Sequence, residues 1–170
     1  MNPKTPWKIL WIPALIVILD QFSKFWVIQA LALYEWRPVI PCVGLTHLRN
    51  RGAAFSFLSQ ASGWQNAFLI AFAVFASILL LYWLFHIPMS RKAERTAVAL
   101  ILGGAMGNLL DRIIHGAVVD FIDIYFRQWH WPAFNGADSA IIIGTMVMAW
   151  VLFLSGERHL PQTSPDDPDS

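Results

Sequence analysis

Two short stretches hold the residues best suited to chemistry: Val118-Val119-Asp120-Phe121-Ile122-Asp123 and Asn135-Gly136-Ala137-Asp138-Ser139-Ala140. Each places a carboxylate where a long apolar run meets polar sequence. Asp120 lies just past the end of one run and Asp138 opens the next. If the runs are adjacent antiparallel membrane helices, the two acids arrive at the same membrane face. Two carboxylates in a poorly hydrated site do not readily both ionise and tend to share a proton. One can then activate water while the other protonates a carbonyl oxygen, which is the chemistry of an aspartic-protease dyad. Asp123, three residues from Asp120, and Asp111 are alternative second carboxylates.

The composition says where such a dyad would work. The chain has 170 residues, 56% of them hydrophobic and only 14% charged, with nine Trp and twelve Phe. A soluble domain carries about 25% charged residues, so the deficit indicates a membrane protein. A formal net charge of +1 and the absence of a Lys/Arg block argue against nucleic acid as a partner. Cys42 is the only cysteine, which excludes a disulfide framework and a CxxC metal site. It is expected to be a packed small residue rather than a nucleophile. The five His lack HExxH spacing and no Ser–His–Asp order is evident, so zinc and serine hydrolases are poor readings.

One membrane domain over 1–170 is expected, mainly α, with four spans at about 9–30, 66–87, 96–114 and 137–155. The second is the clearest: Ala67 to Phe85 is uncharged for 19 residues, close to the ~20 a helix needs to cross the hydrocarbon. The first could instead be a cleaved signal peptide ending at Ala30-Leu31-Ala32, but Asp20 and Lys24 interrupt its apolar core, so a retained span is expected. Lys4, Lys8, Arg91, Lys92, Arg95 and Arg158 fall on one side, more densely than Arg37, Arg49, Arg51 and Arg127 on the other. The positive-inside rule then places both termini in the cytoplasm. The outward segments are 31–65 and 115–136. Within the first, Val43–Leu48 and Ala54–Leu58 suggest a small sheet resting on the membrane, while Trp129, Trp131 and Phe134 give the second an interfacial character. The tail, 156–170, is Pro- and Asp-rich and is expected to be disordered.

Further polar residues gather at the outward depth. Asp20 lies roughly 18 Å along its helix from Lys8, and Asn108 is equally far from Thr96. Gly104, Asn108 and Arg112 recur every four residues and share a helix face. Asn108 and Arg112 could hold a peptide carbonyl, and an Arg at this depth needs an anionic partner, with Asp20 a candidate. Gly103-x-x-x-Gly107 reads as a helix-packing motif. Asp20 and Lys24, spaced i,i+4, are either a local ion pair or a substrate contact. Asn135 and Asp138 have the spacing of a capping box, which would favour an ionised Asp138 at a helix N-terminus. Asn50-Arg51-Gly52 reads as a turn.

These stretches together resemble lipoprotein signal peptidase (signal peptidase II). The matching pieces are Asp20-Gln21-x-x-Lys24, Asn50-Arg51-Gly52-Ala53-Ala54-Phe55, Gly103-Gly104-Ala105-x-Gly107-Asn108-Leu109-x-Asp111-Arg112, Val118-Val119-Asp120-Phe121-Ile122-Asp123 and Phe134-Asn135-x-Ala137-Asp138, in family order from about 20 to 140. The resemblance implies four transmembrane helices with a small extracytoplasmic β-cradle and a short surface helix. It implies Asp120 and Asp138 as the catalytic pair, with Asp20, Asn50, Gly104, Asn108, Arg112 and Asn135 lining the substrate pocket and no metal or organic cofactor. The implied activity is aspartic endopeptidase cleavage of prolipoproteins before a diacylglyceryl-modified cysteine, near the outer leaflet of the bacterial inner membrane. The expected partners are lipidated substrate and membrane lipids, with the chain acting as a monomer. The alternatives are a proton-coupled carrier using Asp20, Lys24, Arg112 and Asp120 as a relay, and a membrane assembly factor.

Overall fold

The computed structural model describes residues 6–52 and 64–157. Four helices long and apolar enough to cross a membrane dominate it. They are α1 (Trp11–Ala30, entered through a 3-10 turn at Pro6–Leu10), α2 (Trp64–His86), α3 (Lys92–His115) and α4 (Gly136–Glu157). Each overlaps one of the four apolar runs of the sequence. Of these, α3 begins four residues earlier than its apolar run and so includes Arg95. That side chain is buried and donates to the Leu84 and Ile87 carbonyls at the end of α2, neutralising the negative end of that helix.

Helix α3 is the hub and packs against each of the other three. Its glycines permit this. A side chain at Gly103 would strike Pro13 and Ile16 of α1, and one at Gly104 would fall on the Ala137 carbonyl oxygen of α4. Gly107 faces both Asp20 and Ala137. Large apolar side chains instead point outward, including Phe68, Phe72, Phe75 and Ile78 on α2 and Ile142, Met146 and Trp150 on α4. Water would oppose so continuous an apolar surface, whereas lipid accommodates it.

Four antiparallel strands cap one end of the bundle in the order β1-β2-β3-β4: Trp36–Ile40, Val43–Asn50, Val118–Phe126 and Trp129–His130. Val43–Leu48 was expected in a sheet; Ala54–Leu58 lies outside the described residues, as does the tail from 158. The stretch 118–126, expected only as part of an interfacial segment, is the strand that ties the sheet together. Val118–Phe121 is buried throughout, so the alternation that marks a half-exposed strand is missing there. No separate surface helix occurs among the described residues. Leu31, at the end of α1, packs with Val27 and Phe121, and the buried His47 of β2 donates Nδ1–H to the Leu31 carbonyl. These contacts fix the sheet on the helix ends. Cys42 corrects its expectation: it is exposed, in the β1–β2 turn with a positive φ of 70°, and packs into no core.

Candidate active site

The site is assembled where β3, the N-terminus of α4 and the last turns of α3 converge. Asp120 lies on β3 opposite Leu48 of β2, and Asn50, two residues along β2, reaches it diagonally. Asn50 Nδ2 donates to Asp120 Oδ2 at 3.0 Å, while its Oδ1 accepts the Gly52 N–H at 2.8 Å. The Asn50-Arg51-Gly52 turn therefore aims the amide at the acid. After β4 the chain returns beside β3, pinned by an isolated bridge between Phe134 and Ile122. That return delivers the fully buried Asn135 to Asp120.

Asn135 then starts α4 as the capping box foresees. Asp138 N donates to Asn135 Oδ1 at 2.9 Å, and Asn135 N donates to Asp138 Oδ2 at 3.2 Å. The Asn135 side-chain amide donates to Asp120 Oδ1 at 2.8 Å. One residue thus holds both carboxyls. A second link runs through α3, where Asn135 Nδ2 donates to Asn108 Oδ1 at 3.2 Å and Asn108 Nδ2 donates to Asp138 Oδ1 at 2.7 Å. Asp120 is buried and Asp138 partly open. Burial, the largest influence, and the nearby Asp138 charge push the Asp120 carboxyl up to about 6, against the opposing pull of the Asn50 and Asn135 amides.

Beneath the acids lies an ionic cluster. Lys24 is fully buried and reaches Asp20 Oδ2 at 2.7 Å, Asp111 Oδ2 at 2.8 Å and Asn108 Oδ1 at 3.2 Å. Asp20 Oδ1 also accepts the Ala137 N–H at 2.9 Å, so it anchors the first turn of α4. Asp111 accepts the Val119 N–H at 2.9 Å and Gln21 Nε2 at 2.8 Å, which anchors the start of β3. The expected Asp20–Lys24 pair is present, but Asp111 completes it. Arg112 is not the partner of Asp20. Its guanidinium makes no ion pair among the described residues and donates only to its own helix, at Asn108 O. Gln21 and Asp111 are positioning residues as well. Their signal was polar side chains at one depth on two apolar helices, which the i,i+4 pair alone obscured.

The alternative acids lie elsewhere. Asp111 is consumed by the cluster, and Asp123 lies on the face of β3 opposite Asp120, bonded by Trp36 Nε1 at 2.6 Å and His130 Nδ1 at 2.8 Å. Gly104 packs against α4. Among the described residues, no group of three or more His, Cys, Asp or Glu could hold a metal ion.

Comparison with known proteins agrees with this architecture. The family model for signal peptidase (SPase) II matches residues 12–154. A lipoprotein signal peptidase of Alteromonas mediterranea is 48% identical over 155 residues, covering 91% of this chain and 85% of that protein. Its counterpart in Yersinia enterocolitica is 47% identical over 146 residues, covering 86% of each. A solved bacterial membrane enzyme at 2.3 Å resolution superposes with a TM-score of 0.79 at 28% identity, covering 92% of this chain and 94% of that one. Another, at 1.9 Å, gives 0.77 at 31% identity, covering 85% and 92%. A four-span membrane chain with this match across nearly its whole length belongs to the signal peptidase II family.

Proposed function

We propose that this chain is an aspartic endopeptidase that removes the signal peptide from diacylglyceryl-modified prolipoproteins, cutting before the lipidated cysteine. The observation that carries the aspartic assignment is Asn135, whose side-chain amide bonds Asp120 and whose backbone N–H bonds Asp138. Two acids tied through one buried residue can divide a proton between them.

In this mechanism Asp120 holds the proton, because its burial disfavours the charged form. Asp138, at the positive end of α4, accepts a proton from water. The resulting hydroxide adds to the scissile carbonyl carbon, and Asp120 protonates the carbonyl oxygen. Collapse of the tetrahedral intermediate breaks the C–N bond as one of its hydroxyls returns a proton to Asp120. The cysteine amine leaves with a proton returned by Asp138, and the signal peptide leaves with a new carboxyl.

Asn50, Asn108 and Asn135 set the two carboxyls. Arg112 is half-buried, and among the described residues its guanidinium donates only to its own helix, which leaves it to hold a substrate carbonyl. Asp20 and Gly104 act on substrate through α4, by anchoring its first turn and by letting it approach α3. The exposed apolar flanks of α2 and α4 leave the site accessible from lipid, which suits a substrate carrying two acyl chains. With Lys8, Arg91 and Lys92 at the far end of the bundle, the termini are cytoplasmic and the dyad sits near the outer leaflet. The chain works as a monomer in the inner membrane.

Incubating the purified protein in detergent with lipidated and unlipidated precursor tests this reading. Release of an intact signal peptide from the lipidated form alone, with no ion gradient, is expected. Equal cleavage of both forms would contradict the substrate assignment, and a requirement for sealed vesicles would favour a carrier.

A further inference from the structure

A cavity lies at the end of the bundle opposite the dyad. It has a volume of about 640 Å³ and opens between the start of α1 and the α2–α3 turn. Its lining combines apolar Ile9, Trp11, Ile12 and Met89 with polar and basic Lys8, Ser90, Lys92, Arg95 and Thr96. Among the described residues no carboxylate lines it. Glu94, the nearest acid in sequence, is turned toward Arg91 at 3.4 Å. Lys8 and Lys92 are exposed and make no ion pair among the described residues, and the Ser90 and Thr96 hydroxyls have no hydrogen-bond partner there. The first turn of α3 opens at this cavity without a side-chain cap, so its N–H groups add positive potential. Trp7 and Trp11 are both mostly exposed, and Trp7 packs on Phe85 with ring centroids 4.7 Å apart. Exposed Trp at the end of an apolar helix marks the headgroup level.

We infer that this cavity is a binding site for one anionic phospholipid, its phosphate held by Lys8, Lys92 and Ser90 and its acyl chains lying on Trp11 and Ile12. Two features select that occupant. The basic side chains favour an anion, and Trp11 belongs to the exposed apolar surface of α1, so head and tail are satisfied together. Basic pockets between membrane helices take anionic headgroups for this reason. The inference needs only that this end of the bundle lies at the headgroups, and it is independent of the catalytic reading.

The test is delipidated full-length protein in neutral detergent, titrated with phosphatidylglycerol, with phosphatidylcholine or with inorganic phosphate. Bound lipid is read by native mass spectrometry and the unfolding midpoint by thermal melting. Phosphatidylglycerol is expected to bind at one copy and to raise the midpoint, phosphatidylcholine to do so weakly and phosphate not at all. Lys8→Gln with Lys92→Gln should weaken phosphatidylglycerol by about fivefold for each lysine. Equal binding of the two lipids would overturn the site, as would unchanged phosphatidylglycerol binding by the double variant. A midpoint rise with phosphate as large as with lipid would make it a free-anion site instead. Should the double variant fail to fold, the wild-type lipid and phosphate arms decide the matter alone.

Discussion

Asn135 and Asp138 hold each other reciprocally, each backbone N–H donating to the other's side-chain oxygen at 3.2 and 2.9 Å. The same Asn135 carries an amide to Asp120, so the capping box of α4 also sets the dyad. Asn135→Ala should cost about 1–3 kcal/mol of stability, since it leaves buried acceptors unpaired. It should also raise the Asp120 titration above about 6, because the lost amide favours the charged carboxyl. The pH–rate profile checks this: the limb reporting Asp120 should move to higher pH. A profile shifted downward would contradict the assignment.

Asp120 makes stability depend on pH with a definite sign. Its carboxyl titrates at 3.8 when unperturbed and at about 6 when folded. Between those values the folded state binds more protons than the unfolded, so stability falls as pH rises. The loss is on the order of 3 kcal/mol and complete above the folded value. Asp120→Asn removes this titration. Its midpoint relative to wild type should therefore climb between pH 4 and 6, then level off. Melting curves across that range decide it.

Lys24 neutralises two buried acids at once. Lys24→Met should cost about 3–5 kcal/mol, because Asp20 and Asp111 are left without their cation. Adding Asp111→Asn should restore part of that loss. Thermal melting of the single and double variants measures the recovery.

Glycines at two depths of the α3–α4 contact separate packing from catalysis. A side chain at Gly104 meets the Ala137 carbonyl, one residue from Asp138, while one at Gly144 meets the Ala97 carbonyl at 2.7 Å, farther along the bundle. Both Ala substitutions should destabilise by about 1–3 kcal/mol. Only Gly104→Ala should also lower kcat well beyond its effect on folding, because it displaces the start of α4. Paired melting and cleavage assays check the contrast.

The sequence made legible what is local. Uncharged runs gave the spans, three-residue spacing gave the Asn135–Asp138 cap, and the glycine pattern of α3 gave its close neighbours. It concealed what depends on distant pairing. Asp120 joins a strand opposite Leu48, more than seventy positions away, and the buried start of that strand shows no alternation. Likewise Lys24 and Asp111 meet only once α1 and α3 are packed, so the i,i+4 spacing carries two of the three members. Charge and depth alone point Arg112 toward an acid, and they do not carry the direction its side chain takes along α3.

Single-turnover cleavage of a diacylglyceryl-modified precursor by Asp120→Asn and Asp138→Asn most directly tests whether these two acids do the chemistry. Both variants should insert, melt cooperatively and release no signal peptide. Appreciable turnover by either folded variant would contradict the dyad.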